Sequence, residues 1–117
     1  MRDDFPVTDV ETVRAFNEAI NARDLDALTA LMTDDHRFVD SEGTTVDGKA
    51  ACTDAWRGFF EAFPDYRNVF DDVWSTAPGV VDVVGRSECS FAALDGPARW
   101  CVVVRDGHVT EWQVFAI

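Results

Sequence analysis

The chain reads as an α+β domain: three N-terminal helices packed on a curved, mostly antiparallel sheet. Two observations predict this class. Apolar residues recur at helical spacing through the first half of the chain and at a spacing of two through the second, and turn dipeptides fall between the candidate strands. At 117 residues one hydrophobic core is expected, so residues 1–117 form a single domain.

Thr8 and Glu11 form a capping-box pair, and Val13, Phe16 and Ile20 follow on one face, which predicts a first helix over residues 9–22. Asp24 caps a shorter second helix that carries Leu25, Leu28 and Met32 and stops before Asp34 and Asp35. The pattern then alternates through His36, Arg37, Phe38, Val39 and Asp40, the signature of a strand. Beyond a polar connection punctuated by Gly43 and Gly48, the stripe Cys52, Trp56, Phe59, Phe60 and Phe63 predicts a third helix ending at Pro64. Strands are predicted over residues 66–76, 80–92, 98–105 and 108–116. Pro78-Gly79, Asp95-Gly96-Pro97 and Asp106-Gly107 separate them, the last being a strong two-residue hairpin signal. The predicted order is ααβαββββ, and its natural cavity lies between helices and sheet.

Composition narrows the function. Twenty-two acidic residues against ten basic ones give a net charge of -12, which repels phosphate backbones and anionic lipid headgroups, so neither nucleic acid nor membrane is an expected partner. Sixteen Asp and a single lysine, Lys49, suit either a high-GC genome or a high-salt cytoplasm. Cys52, Cys89 and Cys101 are odd in number and lack C-x-x-C spacing, so neither a disulfide framework nor a metal site is expected. No charged segment followed by an apolar run opens the chain, and no stretch approaches the roughly 20 apolar residues that span a bilayer, so a cytoplasmic location is expected. Nine Phe, four Trp and one Tyr exceed what closing so small a core requires, and some are expected to line a pocket.

The polar residues on the first strand are the candidate site. Alternation puts His36, Phe38 and Asp40 on one face; if Phe38 points inward, so do its two neighbours. Four residues of regular strand separate the His36 and Asp40 backbones by roughly 13 Å, so they form no direct dyad. Each also has a plain structural reading. Asp40 can cap the Ser41–Gly43 turn, and His36 can bond a backbone carbonyl, Asp34 or Asp35. On the late strands Val83, Gly85, Ser87, Cys89 and Phe91 share the apolar parity; Gly85 either opens space in the interior or marks a bulge. Val109, Glu111, Gln113, Phe115 and Ile117 form the opposite face of the last hairpin, a mixed surface suited to homodimerisation.

The segment "AFNEAINARDLDALTALMTDDHRFVDSEGTTVDGKAACTDAWRGFFEAFPDY", together with "VVRDGHVTEWQVF", resembles the SnoaL-like branch of the nuclear transport factor 2-like superfamily over essentially the whole chain. The resemblance implies a cone-shaped pocket and a range of activities: ketosteroid isomerase, polyketide cyclase, hydrolase, dehydratase, or binding alone. Against ketosteroid isomerase it lays Asp40 on the proton-shuttling aspartate, and places Phe16 and Trp100 where that family carries the Tyr and protonated Asp of its oxyanion hole. Neither has an O–H donor, though Trp100 has one indole N–H, so classical steroid isomerisation is not expected and another reaction using one carboxylate stays open. The expectation is a small-molecule pocket acting on an apolar carbonyl or epoxide compound without a cofactor. In it Asp40 is general base, His36 polariser or relay, and Phe16, Ile20, Phe38, Trp56, Phe60, Trp100 and Trp112 bind the substrate. The alternative is a non-catalytic pocket for a hydrophobic ligand, or a bare dimerisation module.

Overall fold

The computed structural model describes residues 8–117. Helix α1 spans Asp9–Ala22, and its capping box is formed: the Thr8 hydroxyl accepts from the Glu11 amide at 3.1 Å while the Glu11 carboxylate accepts from the Thr8 amide at 2.9 Å. The helix ends at Arg23, whose backbone is left-handed at φ 59° and whose guanidinium donates to the carbonyls of Ile20, Phe63 and Pro64. That fan of bonds ties the end of α1 to the end of the third helix. Helix α2, Leu25–Ala30, is capped by Asp24, whose carboxylate accepts from the Ala27 amide at 3.1 Å. Helix α3 spans Lys49–Ala62 and buries Cys52 and Trp56.

Six strands, β1 Met32–Val39, β2 Thr45–Asp47, β3 Arg67–Ala77, β4 Val80–Glu88, β5 Gly96–Arg105 and β6 His108–Ala116, form one sheet in the order β2-β1-β6-β5-β4-β3. Four of its five pairings are antiparallel; β1 and β6 run parallel. Helices cover one face of this mixed sheet, and a core that includes Val13, Ile20, Leu28, Val81, Val102 and Val109 fills the space between them. The arrangement is the α+β cone expected from the sequence.

Several boundaries differ from the sequence reading. Helix α2 ends at Ala30, and Met32, expected on that helix, is the first residue of β1 and pairs with Val109 of β6. The order gains a strand, β2, whose three residues have too few alternations to stand out between Gly43 and Gly48 but pair with β1 at Arg37↔Asp47 and Phe38↔Val46. Strand β1 stops at Val39, because the Asp40 amide and carbonyl are turned to Thr44 and Gly43. Strand β4 ends at Glu88 rather than near residue 92, and a short 3-10 turn over Ala92–Leu94 leads into β5.

Bulges correct two orientations. The β5–β6 register shifts between Val103 and Val104, so Val109 pairs with Val104 and enters the core, although its parity places it with Glu111 and Gln113 on the outer face. At Gly85 the bulge reading holds and the space-opening one does not. A Cβ there would lie 2.0 Å from the Val69 carbonyl oxygen and 3.0 Å from the Phe70 Cα, next to the register shift between Phe70 and Asp72. Only glycine lets β3 approach β4 this closely.

Candidate functional site

Between α3 and the inner face of the sheet lies a cavity of about 480 Å³. Its walls are mainly aromatic and aliphatic, and it is large enough to take a drug-sized compound. Phe38 of β1 and Trp56 of α3 meet edge-on, ring centres 5.5 Å apart, on one side; Trp100 of β5 and Trp112 of β6 form the sheet wall. Phe91 in the β4–β5 connection is 53% exposed and borders the cavity, its ring tilted against that of Phe63 with centres 5.4 Å apart.

Of the residues singled out from sequence, Phe38, Asp40, Trp56, Trp100 and Trp112 line this cavity. Phe16, Ile20, Phe60 and His36 do not. Phe16 and Ile20 are fully buried in the helix–sheet core, Phe16 lying behind Trp112 with ring centres 4.6 Å apart. Inward parity is therefore not sufficient: the α1 residues plug the closed end of the cone instead of facing its space. Phe60 is turned about 100° around α3 from Phe59, the residue that does face the cavity. It lies instead beneath the Arg23 guanidinium, 5.5 Å from its ring centre.

His36 is a core residue. Its side chain is wholly buried against Phe16, and its Nδ1 donates to the Val109 carbonyl at 2.7 Å, which fixes the tautomer and leaves Nε2 buried without a partner. Burial pushes its pKa below the ordinary histidine value; the Val109 carbonyl and the Asp35 charge oppose that shift less strongly. The structural alternative, a backbone-bonded histidine, describes its geometry. Asp40 sits half-buried at the rim, just past the end of β1. One carboxylate oxygen accepts from the amides of Glu42 and Thr44 at 2.9 and 3.0 Å, the turn-capping geometry also anticipated for it. The two residues are not brought together. Each is bonded to a different piece of backbone.

The sequence reading passed over a polar cluster in the inner wall. Tyr66 and Ser87, both buried, line the cavity with their hydroxyls 3.2 Å apart, and the Ser87 hydroxyl donates to Asn68 Oδ1 at 2.8 Å. Asn68 is held by α1: its carbonyl accepts from Asn21 Nδ2 at 2.9 Å, and its amide donates to Asn21 Oδ1 at 2.8 Å. Burial raises the Tyr66 pKa above the ordinary phenol value, against the lowering effect of its Ser87 and Asn68 partners. Asn68 Nδ2 and Trp100 Nε1 are buried without a partner. The available signal was Ser87 on the cavity-facing parity of β4 and the tyrosine closing "FPDY"; nothing in the sequence joined them.

A cone of helices on a mixed sheet, open to an aromatic cavity, defines a nuclear transport factor 2-like pocket protein. The SnoaL-like domain model matches residues 13–112, and the chain belongs to that family. Solved structures agree in fold. A candidate polyketide cyclase from Sinorhizobium meliloti superposes with a TM-score of 0.79 at 18% identity, covering 95% of each chain. A candidate SnoaL-like polyketide cyclase from Shewanella putrefaciens gives 0.79 at 15% identity, over 96% of this chain and 80% of that one. A candidate ketosteroid isomerase from Kribbella flavida gives 0.75 at 16%, over 92% and 76%. Among curated proteins, none matches this sequence. Among the described residues, no helix is long and apolar enough to cross a membrane.

Proposed function

We propose that this protein binds a small, largely apolar cyclic compound in the cavity beneath α3. The observation that carries the reading is the cavity itself: about 480 Å³, walled by Phe38, Trp56, Trp100 and Trp112. Burying a flat ring system against these faces supplies affinity through apolar area and aromatic contact, the usual basis of small-molecule sites. Asp40 at the rim orients the ligand's polar edge, while its turn bonds keep the rim in shape.

Three tryptophans in the wall make the test direct. Titration with two- and three-ring hydrocarbons and ketones should produce a saturable change in tryptophan emission at micromolar concentration, accompanied by a rise in melting temperature. No saturable change up to the solubility limit of the whole set overturns the reading.

The position of Asp40 in the cavity wall supports a second reading, a cofactor-independent isomerase, cyclase or hydrolase with Asp40 as base. Under it, Asp40→Asn should lower turnover of an identified substrate by about 10²- to 10⁴-fold. Retention of full activity excludes it.

A homodimer through the outer sheet face is part of the same proposal. That face carries Arg99 stacked 4.9 Å over Phe115 and an exposed Trp74. Sedimentation should show a dimer at micromolar concentration in moderate salt, which screens the repulsion between two protomers of charge -12. A monomer at both low and high salt refutes it.

A further inference from the structure

The inner wall of the cavity holds polar groups whose hydrogen-bonding capacity is not used up. Asn68 presents its amide to Ser87, yet its Nδ2 group is buried with no acceptor, and the indole N–H of Trp100, fully buried in the same wall, has none either. A buried donor left unmatched is costly, and native interiors rarely keep one without reason. Both orphans are donors, in the wall of the cavity or one bond behind it.

The proton count along the Asn68–Ser87–Tyr66 chain shows what would satisfy the Asn68 donor. Each hydroxyl owns one proton. With Ser87 donating to Asn68 Oδ1, the 3.2 Å contact between Tyr66 and Ser87 must take the Tyr66 proton, so the phenol turns only lone pairs toward the cavity. Rotating the Asn68 amide by half a turn reverses the whole sequence: Nδ2 donates to Ser87, Ser87 donates to Tyr66, and the phenolic proton is released toward the cavity, while Oδ1 takes the place Nδ2 leaves, where an unpaired carbonyl costs less than an unpaired N–H. The backbone of Asn68 is unaffected, because Asn21 holds it through the main-chain amide and carbonyl.

We propose that this wall recognises a carbonyl oxygen on the ligand, received by the Tyr66 hydroxyl at the end of an Asn68–Ser87–Tyr66 donor chain. The inference rests on the apolar-pocket reading and specifies its ligand class as cyclic ketones or related acceptor-bearing compounds. A carbonyl oxygen draws the chain into the one orientation in which Asn68 Nδ2, Ser87 and Tyr66 all donate. An apolar ligand of the same shape leaves the amide donor unmatched. The phenol suits the role because burial keeps it protonated, hence a donor, through the neutral range. Tyr66 and Ser87 are positioned as specificity residues, since the apolar walls accept ketone and hydrocarbon alike.

Calorimetric titration with 1-tetralone and tetralin, which share a bicyclic frame and differ by one carbonyl oxygen, tests this. The wild-type protein should bind the ketone about 5- to 10-fold more tightly than the hydrocarbon, as expected for one net hydrogen bond to a buried site. Tyr66→Phe should abolish that preference while leaving tetralin affinity unchanged, and the retained tetralin binding reports an intact pocket. Equal binding of the two compounds to the wild type overturns the inference and leaves the apolar-pocket reading standing. Binding of neither overturns both. A ketone preference that survives in Tyr66→Phe also overturns it.

Discussion

Replacing Asp40 with alanine separates its two roles, because a carboxylate that holds a turn and one kept free as a buried base respond oppositely to removal. The structure gives it two accepted backbone bonds, from Glu42 at 2.9 Å and Thr44 at 3.0 Å. Charged acceptors in such bonds contribute about 1.5–3 kcal/mol each when shielded from water; at a solvent-facing rim, where water replaces a lost partner, about 0.5–1 kcal/mol each is the appropriate scale. Asp40→Ala should therefore cost about 1–2 kcal/mol. In a domain of this size that lowers the melting temperature by roughly 4–8 °C. Asp40→Asn keeps one acceptor oxygen in place and should cost less than about 1 kcal/mol. Chemical denaturation of the three proteins, with melting as a second measure, checks the ranking wild type, Asn, Ala. If Asp40→Ala is as stable as the wild type or more so, the carboxylate is not serving the turn and the argument from its geometry fails.

Stability should also fall on acidification through His36. Its folded pKa is depressed by burial, so above the unfolded value of about 6.5 neither state carries the proton; below it the unfolded chain takes up a proton that the native core resists. Urea unfolding should show a loss of at most about 1.4 kcal/mol per pH unit below pH 6.5, and His36→Gln should flatten that slope; an unchanged slope in the variant refutes the assignment. Phe59→Ala should weaken binding of an apolar ligand several-fold whereas Phe60→Ala leaves it unchanged, since only Phe59 faces the cavity; calorimetry reads both, and equal effects would falsify the assigned helix orientation. Gly85→Ala should destabilise the domain by about 1–3 kcal/mol, because its Cβ would meet a backbone oxygen at 2.0 Å and one of two paired strands must move; a neutral effect in thermal melts contradicts the close approach.

Local chemistry determined the elements. Helix α1 was legible to the residue because its signals lie within one turn of each other: Thr8, Glu11 and the apolar stripe that follows need no distant partner. The longer strands, the Asp106-Gly107 hairpin and the acidic character of the chain were legible for the same reason, and the match of motifs in register carried the fold family. Tertiary structure decided what each inward residue meets. A bulge of one residue reversed the face of Val109, and a neighbouring strand, not a ligand, claimed the space beside Gly85. Phe16 and His36 point inward as their parity requires, yet other core side chains close over them, while Asp40 lost its place on the strand to a turn bond. The Tyr66–Ser87–Asn68 cluster was invisible for the plainest reason: Asn21 and Asn68 are 47 residues apart and Tyr66 and Ser87 are 21, so no sequence period links them. Periodicity follows from the geometry of one helix or strand, whereas a cavity and its polar anchors arise where separate elements converge, and that convergence exists only in the folded chain.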